Sequence, residues 1–225
     1  MTIGAIIAAA GRGSRLGAAG PKAFLPLAGQ SLLTRCLRPF LAHPAVRAIA
    51  VAVPDPDGTD LGLHDPRLRL VRGGAERQDS VRAGLDALGE VDVILVHDAA
   101  RPFADRALID AVAAAALSHG AAIPVLPVPD TLKRVDAGGR VVETLSRAGL
   151  HLAQTPQGFR AEVLRRAHAA AGRAGVRGTD DAALVERLGA AVVVVAGDPL
   201  NIKITAPADL LLGEVIAMLR GDGHA

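Results

Sequence analysis

The sequence predicts an α/β protein with a mostly parallel, twisted sheet flanked by helices and with a protruding β-hairpin arm. Three observations lead to this prediction: β-prone runs alternate with helical runs, half of the 225 residues are hydrophobic, and only 21% are charged. Such a chain can bury a sizeable core. No Ser-, Gly- or Pro-rich linker divides it, so we expect one domain over residues 1–225, with the arm at about 130–150.

The first half of the chain shows the alternation of strands and helices. Residues 3–9 are an apolar run typical of a first strand, and a Gly-rich segment follows it. Ser31 is a suitable N-cap for a helix whose apolar residues recur at helical spacing around Cys36, which we assign to the core. The other elements predicted in this half are strands at 46–53, 67–71 and 91–96 and a helix at 79–88.

The second half continues with a helix at 105–118 and a strand at 121–125, and then the pattern changes. Two β-prone runs, 131–135 and 140–145, flank a Gly-containing turn, which predicts a hairpin. Two strands alone are only marginally stable in water, so this arm has to lie on something else. A partner subunit and the sheet of the same chain are both possible supports. Pro207 then opens a helix that closes the domain.

Composition excludes several classes of protein. The formal net charge is +2 and the chain has four Phe but no Tyr or Trp, which disfavours nucleic-acid binding. No apolar run approaches the roughly 18 residues of a membrane helix, and no basic segment precedes the short N-terminal apolar run. We therefore expect a cytoplasmic protein without membrane association. The length leaves no room for a second enzymatic domain, so we expect no bifunctional fusion.

The loop over residues 8–24 carries most of the chemical information. A dinucleotide-binding fingerprint would need glycine where Leu16 stands, and a P-loop would not have Pro21 next to its lysine. What remains is a long glycine loop with two cations, Arg15 and Lys22, which is suited to cradle phosphates at the carboxyl edge of a sheet. The alternative is a solvated loop with no ligand.

This loop, with its pattern A-A-G-x-G-x-R-hydrophobic-G and the following P-K-x-F-L, resembles a nucleotidyltransferase signature. More closely, the chain resembles the 2-C-methyl-D-erythritol 4-phosphate cytidylyltransferase family of the non-mevalonate isoprenoid pathway. The ordered set of blocks is far more specific than any one of them and covers residues 3 to about 212. Further blocks occur in the order of that family at 73–81, 96–102, 130–133, 154–159, 179–182 and 201–205.

The resemblance implies a Rossmann-like sheet and a transferase that moves CMP from CTP to 2-C-methyl-D-erythritol 4-phosphate. The products would be 4-diphosphocytidyl-2-C-methyl-D-erythritol and pyrophosphate, with Mg²⁺ as cofactor and a homodimer formed through the β-arm. The reaction needs positive charge and in-line placement rather than a protein nucleophile. A general base adds little because the attacking phosphate is already ionised, so His97 need not be catalytic. The candidate catalytic cations are Arg15, Lys22 and Lys203.

Binding residues are carried over from the matching blocks. Asp98 is also the predicted ligand of a magnesium ion that the triphosphate would mainly hold. The predicted nucleotide-binding residues are Ala9, Ala10, Gly11, Gly13, Gly74, Ala75, Ser80 and Asp98. The predicted substrate-binding residues are Ala99, Arg101, Thr131, Arg147, Thr155 and Thr179.

Each of these blocks also has a structural interpretation. Residues 73–80 could be a turn that feeds a capped helix, and Asp98 with Arg101 could be a loop ion pair. Thr179 could cap a helix, and Lys203 could point to solvent from a strand-like run. Three other functions remain open as well: a ribitol-5-phosphate cytidylyltransferase, a uridylyl- or guanylyltransferase on a sugar 1-phosphate, and a nucleotide-binding regulatory protein without turnover.

Overall fold

The structure is a computed structural model that describes residues 1–11 and 20–221. In these ranges one mixed sheet of eight strands forms the centre, with the spatial order β10-β7-β11-β6-β1-β4-β5 and with β12 also paired to β7. The strands are β1 Ile3–Ala8, β2 Pro26–Leu27, β3 Gln30–Ser31, β4 Val46–Val53, β5 Leu68–Arg72, β6 Val93–Asp98, β7 Ala121–Pro127, β8 Leu132–Val135, β9 Val141–Leu145, β10 His151–Ala153, β11 Gln157–Arg160 and β12 Val193–Ala196. The helices are α1 Leu32–Leu41, α2 Arg77–Ala87, α3 Arg106–His119, α4 Ala161–Ala174, α5 Asp181–Arg187 and α6 Pro207–Leu219.

The sheet is mostly parallel, as the alternation of elements predicted. β1 pairs in parallel with β4 and β6, β4 with β5, and β12 with β7. β11 lies antiparallel between β6 and β7, and β10 is antiparallel to β7. The register sets Ala8 beside both Ala52 and Asp98, so the carboxyl ends of three central strands form one edge.

Helices cover both faces of this sheet. On one face, α1 and α3 pack through residues such as Phe40 and Ile109, and on the other α2, α4 and α5 pack around Phe159. Cys36 lies in the first of these clusters and is 1% exposed, which confirms its assignment to the core. Burial raises the pKa of its thiol far above the ordinary value, so the side chain behaves as an apolar group.

Side-chain caps begin several helices. Ser31 accepts a hydrogen bond from the Thr34 N–H at 3.0 Å and caps α1 as predicted. The cap of α5 is Asp180, which accepts from the Ala183 N–H at 2.9 Å, so the interpretation of Thr179 as that cap is wrong by one residue. A carboxylate is favoured there because it both accepts the hydrogen bond and faces the positive end of the helix dipole.

One prediction from the second half of the chain needs correction, and some strands there were not predicted. The predicted strand-like run at 201–205 is irregular and is held to the loop after β6 by the Ile204 N–H, which donates to the Ala100 carbonyl at 2.8 Å. The antiparallel strand β11 and the edge strand β12 were not predicted. β11 is only four residues long and lies directly before a helix, so its pattern carries little strand signal.

The predicted hairpin is confirmed and consists of β8 and β9. These strands pair with each other from Leu132 opposite Leu145 to Val135 opposite Val141, and they form a sheet separate from the central one. The hairpin therefore does not extend the chain's own sheet. Val141 and Val142 are 60% and 57% exposed, so nothing in the described part of this chain covers the arm.

No helix within the described ranges is both long enough and apolar enough to cross a membrane.

The tight contact between β11 and α3 leads to a stability prediction. A Cβ added at Gly158 would lie 2.7 Å from Val112 Cγ1, whereas a Cβ at Gly172 in α4 would meet no atom within 4 Å. Gly158→Ala should therefore lower the free energy of unfolding by about 1–3 kcal/mol through overpacking. The matched control Gly172→Ala should raise it by about 0.5–1 kcal/mol because alanine favours the helix. Urea unfolding followed by circular dichroism measures both, and equal midpoints for the two variants would contradict this packing.

Candidate active site

A cavity of about 360 Å³ opens at the carboxyl edge of the sheet, where β1 and β6 end side by side. Ligands of open α/β sheets bind at such an edge. Ten of the predicted site residues line this cavity: Ala9, Ala10, Gly11, Lys22, Gly74, Ala75, Ser80, Asp98, Ala99 and Lys203. Gly13 and Arg15 lie outside the described residues, so their predicted roles stay predictions.

One wall of the cavity carries Lys22. It begins a single turn of 3₁₀-helix, Lys22–Phe24, which follows Pro21 and is closed by the Leu25 N–H donating to the Lys22 carbonyl at 3.1 Å. Close enough to feel the charge of Lys22, Asp209 accepts hydrogen bonds from Thr205 and the Ala206 N–H. Burial raises the pKa of Asp209, but these hydrogen bonds and the charge of Lys22 lower it more, so the carboxylate stays ionised and fixes the segment before α6.

The opposite wall is the loop that leads into α2. The Gly74 N–H donates to Ser80 Oγ at 3.2 Å, and the Ser80 hydroxyl donates to the Glu76 carbonyl at 3.3 Å. A Cβ at Gly73 would overlap Ala10 Cβ, and one at Gly74 would overlap Asp79 Cβ. Both glycines are therefore required by close approach, and the loop is a packed wall rather than an open turn. Ser80 is only 3% exposed and fixes the shape of the loop from its buried side.

A buried carboxylate, Asp98, stands at the floor of the cavity. Its Oδ1 accepts from Arg77 Nε at 2.8 Å and its Oδ2 accepts from Lys203 Nζ at 2.6 Å. Burial raises the pKa of Asp98, but the two cations lower it more strongly, so that it lies far below the usual range. Asp98 is therefore ionised at every physiological pH.

The ion pair expected as an alternative between Asp98 and Arg101 is not the arrangement in this structure. The Arg101 guanidinium donates instead to the carbonyls of Asn201 at 2.7 Å and Ala153 at 3.2 Å. It thereby ties the irregular 201–205 segment and β10 to the end of β6. Lys203 is not a solvated lysine on a strand, because it lines the cavity and binds Asp98.

Thr155, predicted to contact the substrate, is only 6% exposed and lies behind the cavity. Its hydroxyl accepts from the Asp98 N–H at 3.1 Å and lies 2.9 Å from His97 Nδ1. The other ring nitrogen of His97 lies 2.9 Å from the Arg101 carbonyl, which can only accept. The network thus assigns the proton to Nε2, and Nδ1 accepts from Thr155. In this chain alone, Thr155 supports the backbone around Asp98.

The remaining predicted substrate residues do not line the cavity of their own chain. Thr131 and Arg147 lie on the arm and Thr179 lies before α5, and all three are exposed. The Arg147 guanidinium donates to the Pro129 carbonyl at the base of the arm.

The donor set at Asp98 decides how a magnesium ion fits. Both carboxylate oxygens are engaged by cations, and no group of three or more His, Cys, Asp or Glu side chains in the described ranges could hold a metal. Mg²⁺ prefers several oxygen ligands but often takes only one or two of them from protein. These residues therefore do not build a magnesium site of their own, and Asp98 could reach an ion held by phosphates only by giving up one of these contacts.

Sequence reasoning missed Arg77, which lines the cavity and binds Asp98. Its position within the block 73–81 was the only signal, since nothing in the spacing connects residue 77 to residue 98. Thr205 at the cavity mouth was missed for the same reason.

The comparison with known families agrees with this geometry. A family model described as IspD, 2-C-methyl-D-erythritol 4-phosphate cytidylyltransferase, matches residues 3–219. The chain belongs to this family.

Relatives of the IspD family match the chain over nearly its whole length. The chain is 49% identical over 230 residues to the bifunctional enzyme IspD/IspF of Rhodospirillum rubrum, covering 99% of this chain and 58% of that protein. It is 48% identical over 218 residues to the 2-C-methyl-D-erythritol 4-phosphate cytidylyltransferase of Frankia casuarinae, covering 95% of this chain and 80% of that protein. The chain thus spans little more than half the length of the bifunctional relatives it matches.

A solved IspD structure confirms the fold. The crystal structure of 2-C-methyl-D-erythritol 4-phosphate cytidylyltransferase from Thermus thermophilus superimposes with a TM-score of 0.84 at 41% identity. The match covers 97% of this chain and 100% of that chain. The α/β fold predicted from the sequence is therefore confirmed.

The burial of His97 leads to a prediction about pH. Burial lowers the pKa of His97 from 6.5 to about 4, a shift that the Arg101 carbonyl and Asp98 oppose only in part. Between these two pH values the unfolded chain binds a proton at residue 97 that the folded chain does not, so stability falls as the pH falls. At pH 5 the loss from this group should be about 2 kcal/mol relative to pH 7.

Urea unfolding at pH 7 and pH 5 measures this loss. In His97→Gln, which cannot be protonated, the difference between the two pH values should shrink by about 2 kcal/mol. An unchanged difference in this variant would show that His97 does not titrate as its burial indicates.

Proposed function

We propose that the protein transfers CMP from CTP to 2-C-methyl-D-erythritol 4-phosphate, forming 4-diphosphocytidyl-2-C-methyl-D-erythritol and pyrophosphate. One observation carries the proposal: in a member of the IspD family, Lys22 and Lys203 line the same cavity as the packed loop at Gly74 and Ala75. Cations for a triphosphate and a backbone wall for a base thus face one space of suitable size.

The chemistry follows from the charges that the reaction redistributes. An oxygen of the 4-phosphate forms a bond to the α-phosphorus of CTP, and the bond from that phosphorus to the bridging oxygen of the β-phosphate breaks, releasing pyrophosphate. The attacking oxygen carries no proton that must be removed, so no general base is needed. Lys22 and Lys203 would offset the negative charge that builds on the α-phosphate, and we propose Arg15 as a third cation.

His97 has no part in this step. It is fully buried beneath the cavity, it is neutral at pH 7, and both of its ring nitrogens are engaged by protein groups. Its contribution is to hold Thr155 and the backbone at Asp98.

We propose that Mg²⁺ enters bound to the triphosphate and lies near the Asp98 carboxylate. When bound, the ion would neutralise phosphate charge and favour the in-line geometry. The protein's own task at this point is to keep Asp98 ionised and in place, which Arg77 and Lys203 do.

The proposal includes a homodimer formed through the β-arm. The arm stands apart from the sheet of its own chain and exposes Val135, Val141 and Val142. The same arm and its base carry Thr131 and Arg147, which the family resemblance assigns to the sugar phosphate but which do not line their own cavity. A second chain would both cover the arm and receive these two residues. We place this dimer in the cytoplasm and expect no nucleic-acid or membrane partner.

The packed loop at residues 73–80 predicts selection of the base. A rigid backbone wall matched to cytosine leaves polar groups unpaired when uracil binds, at about 1–3 kcal/mol for each group. Pyrophosphate release with methylerythritol phosphate and Mg²⁺ should therefore be at least about tenfold faster with CTP than with UTP at low nucleotide concentration. ATP and GTP should support still slower pyrophosphate release because their bases do not match the wall.

Ribitol 5-phosphate, tested in parallel as the acceptor, distinguishes the proposed reaction from that of a ribitol-5-phosphate cytidylyltransferase. Equal rates with CTP and UTP would contradict the proposal, and so would faster turnover of ribitol 5-phosphate.

A mixing experiment tests the shared site. Lys22→Ala removes a cation of the cradle and Arg147→Ala removes the group offered by the arm, so each variant alone should lose most activity. After the two are refolded together, about half of the dimers are mixed and each has one intact site, so about a quarter of the wild-type activity should return. Sizing verifies that exchanged dimers are present. If such dimers stayed as inactive as their parents, Arg147 would serve its own chain and the shared site would be wrong.

A further inference from the structure

Five charged or titratable side chains form one continuous network of contacts that runs from the cavity into the core. Lys203 binds Asp98, Asp98 binds Arg77, and Arg77 Nη1 binds Asp181 Oδ2 at 2.6 Å. The second oxygen of Asp181 lies 2.8 Å from His168 Nε2. This network links the end of β6, the first turn of α2, the start of α5 and the middle of α4. In the proposed mechanism Lys203 has two tasks, one at Asp98 and one at the phosphates, whereas Asp181 and His168 have none.

Asp98 poses an electrostatic problem for the proposed reaction. Lys203 Nζ lies 2.6 Å from Asp98, yet the same ammonium has to approach the phosphates. When it turns toward a phosphate, Asp98 loses one of its two cations while it is only 7% exposed. A buried carboxylate without a compensating charge is strongly unfavourable. A magnesium ion held by the triphosphate would come and go with the nucleotide, so a protein group other than Lys203 has to balance Asp98 throughout turnover.

Arg77 is built to do this. Its Nε holds Asp98 Oδ1 at 2.8 Å, and it cannot follow Lys203 toward a phosphate because Nη1 is held by Asp181, which is 1% exposed. His168, itself 4% exposed, fixes the other oxygen of Asp181. The third nitrogen of Arg77, Nη2, is buried without a hydrogen-bond partner in the described part of the chain. The guanidinium is thus anchored from the core side.

We infer that Arg77 is a positioning residue: anchored by Asp181, it keeps the charge of Asp98 balanced so that Lys203 can leave that carboxylate for the phosphates. The inference rests on the proposed function, because it assumes that Lys203 binds phosphate. The competing explanation is structural, namely that Arg77 only ties α2 to α5 through Asp181. The two explanations differ in whether the effect of Arg77 depends on the charge of Asp98.

A double-mutant cycle separates them. Arg77→Gln should lower kcat/KM for CTP by about tenfold or more, because Lys203 then leaves Asp98 unbalanced. Asp98→Asn removes the charge that needs balancing, so Arg77→Gln made in that background should change kcat/KM by less than about threefold. Arg177→Gln is the matched control, since Arg177 pairs with Glu76 and Asp79 at the start of the same helix but does not contact Asp98. It should behave as the wild type.

Each outcome is decisive. If the losses from Arg77→Gln and Asp98→Asn simply multiply, Arg77 acts independently of Asp98 and the inference is overturned while the proposed function stands. If the wild type itself releases no pyrophosphate from CTP and methylerythritol phosphate, the proposed function fails and the inference fails with it. Should Arg77→Gln not fold, Arg77→Lys replaces it in the cycle. Lysine keeps a cation but cannot bridge two carboxylates. The effects of Arg77→Lys and Asp98→Asn on kcat/KM should then be coupled by about threefold, and the absence of any coupling would overturn the inference.

Discussion

The buried carboxylate of Asp98 is the constraint on which the site depends. It stands at the end of β6, where the sheet register places it beside the end of β1, and it is nearly removed from water. A charge in that place is stable only if cations come to it from elsewhere in the chain. Arg77 and Lys203 are those cations, and their contacts bring the start of α2 and the segment before α6 to the same point. The electrostatics of one residue thus set where two walls of the cavity lie.

Close packing sets the shape of the loop that leads into α2. Gly73 and Gly74 have no room for a Cβ, because Ala10 and Asp79 occupy that space, and Ser80 satisfies the Gly74 N–H from inside the loop. The loop is therefore shaped before any nucleotide arrives, which is the condition for base selection by backbone groups. The same principle operates beneath the floor, where His97 and Thr155 hold the Asp98 backbone with hydrogen bonds that leave neither side chain available to substrate. Thr155 matches the family's motif and still acts, within one chain, on the backbone and not on the ligand.

The sequence predicted the fold well because the strands of a buried parallel sheet are apolar on both faces and need no tertiary information to be seen. It failed where structure depends on contacts between distant residues. The strand β11 is inserted between β6 and β7 by packing, and 201–205 alternates like a strand but is drawn to the loop after β6 by Ala100 and Arg101. At the site, the ordered motifs predicted most of the cavity lining but not Arg77. Its importance comes from burial beside Asp98 and Asp181, which lie 21 and 104 residues away in the chain.

The β-arm places a limit on what a single chain can do. Among the residues that the structure describes, its two strands pair only with each other and expose three valines. Arg147 is held at its base by the Pro129 carbonyl and does not line the cavity of the same chain. A two-stranded ribbon with exposed apolar side chains gains stability only when another surface covers it. Under the proposed function the same surface would gain Arg147 and Thr131 for its sugar phosphate. Covering the arm and completing the site would then be one event. A chain unable to associate would bind CTP in its cavity but lack Thr131 and Arg147 for the acceptor. The division of labour within the chain agrees with this: the charge network and the packed loop that line the proposed nucleotide cavity lie in one copy, whereas Thr131, Arg147 and Thr179 lie exposed.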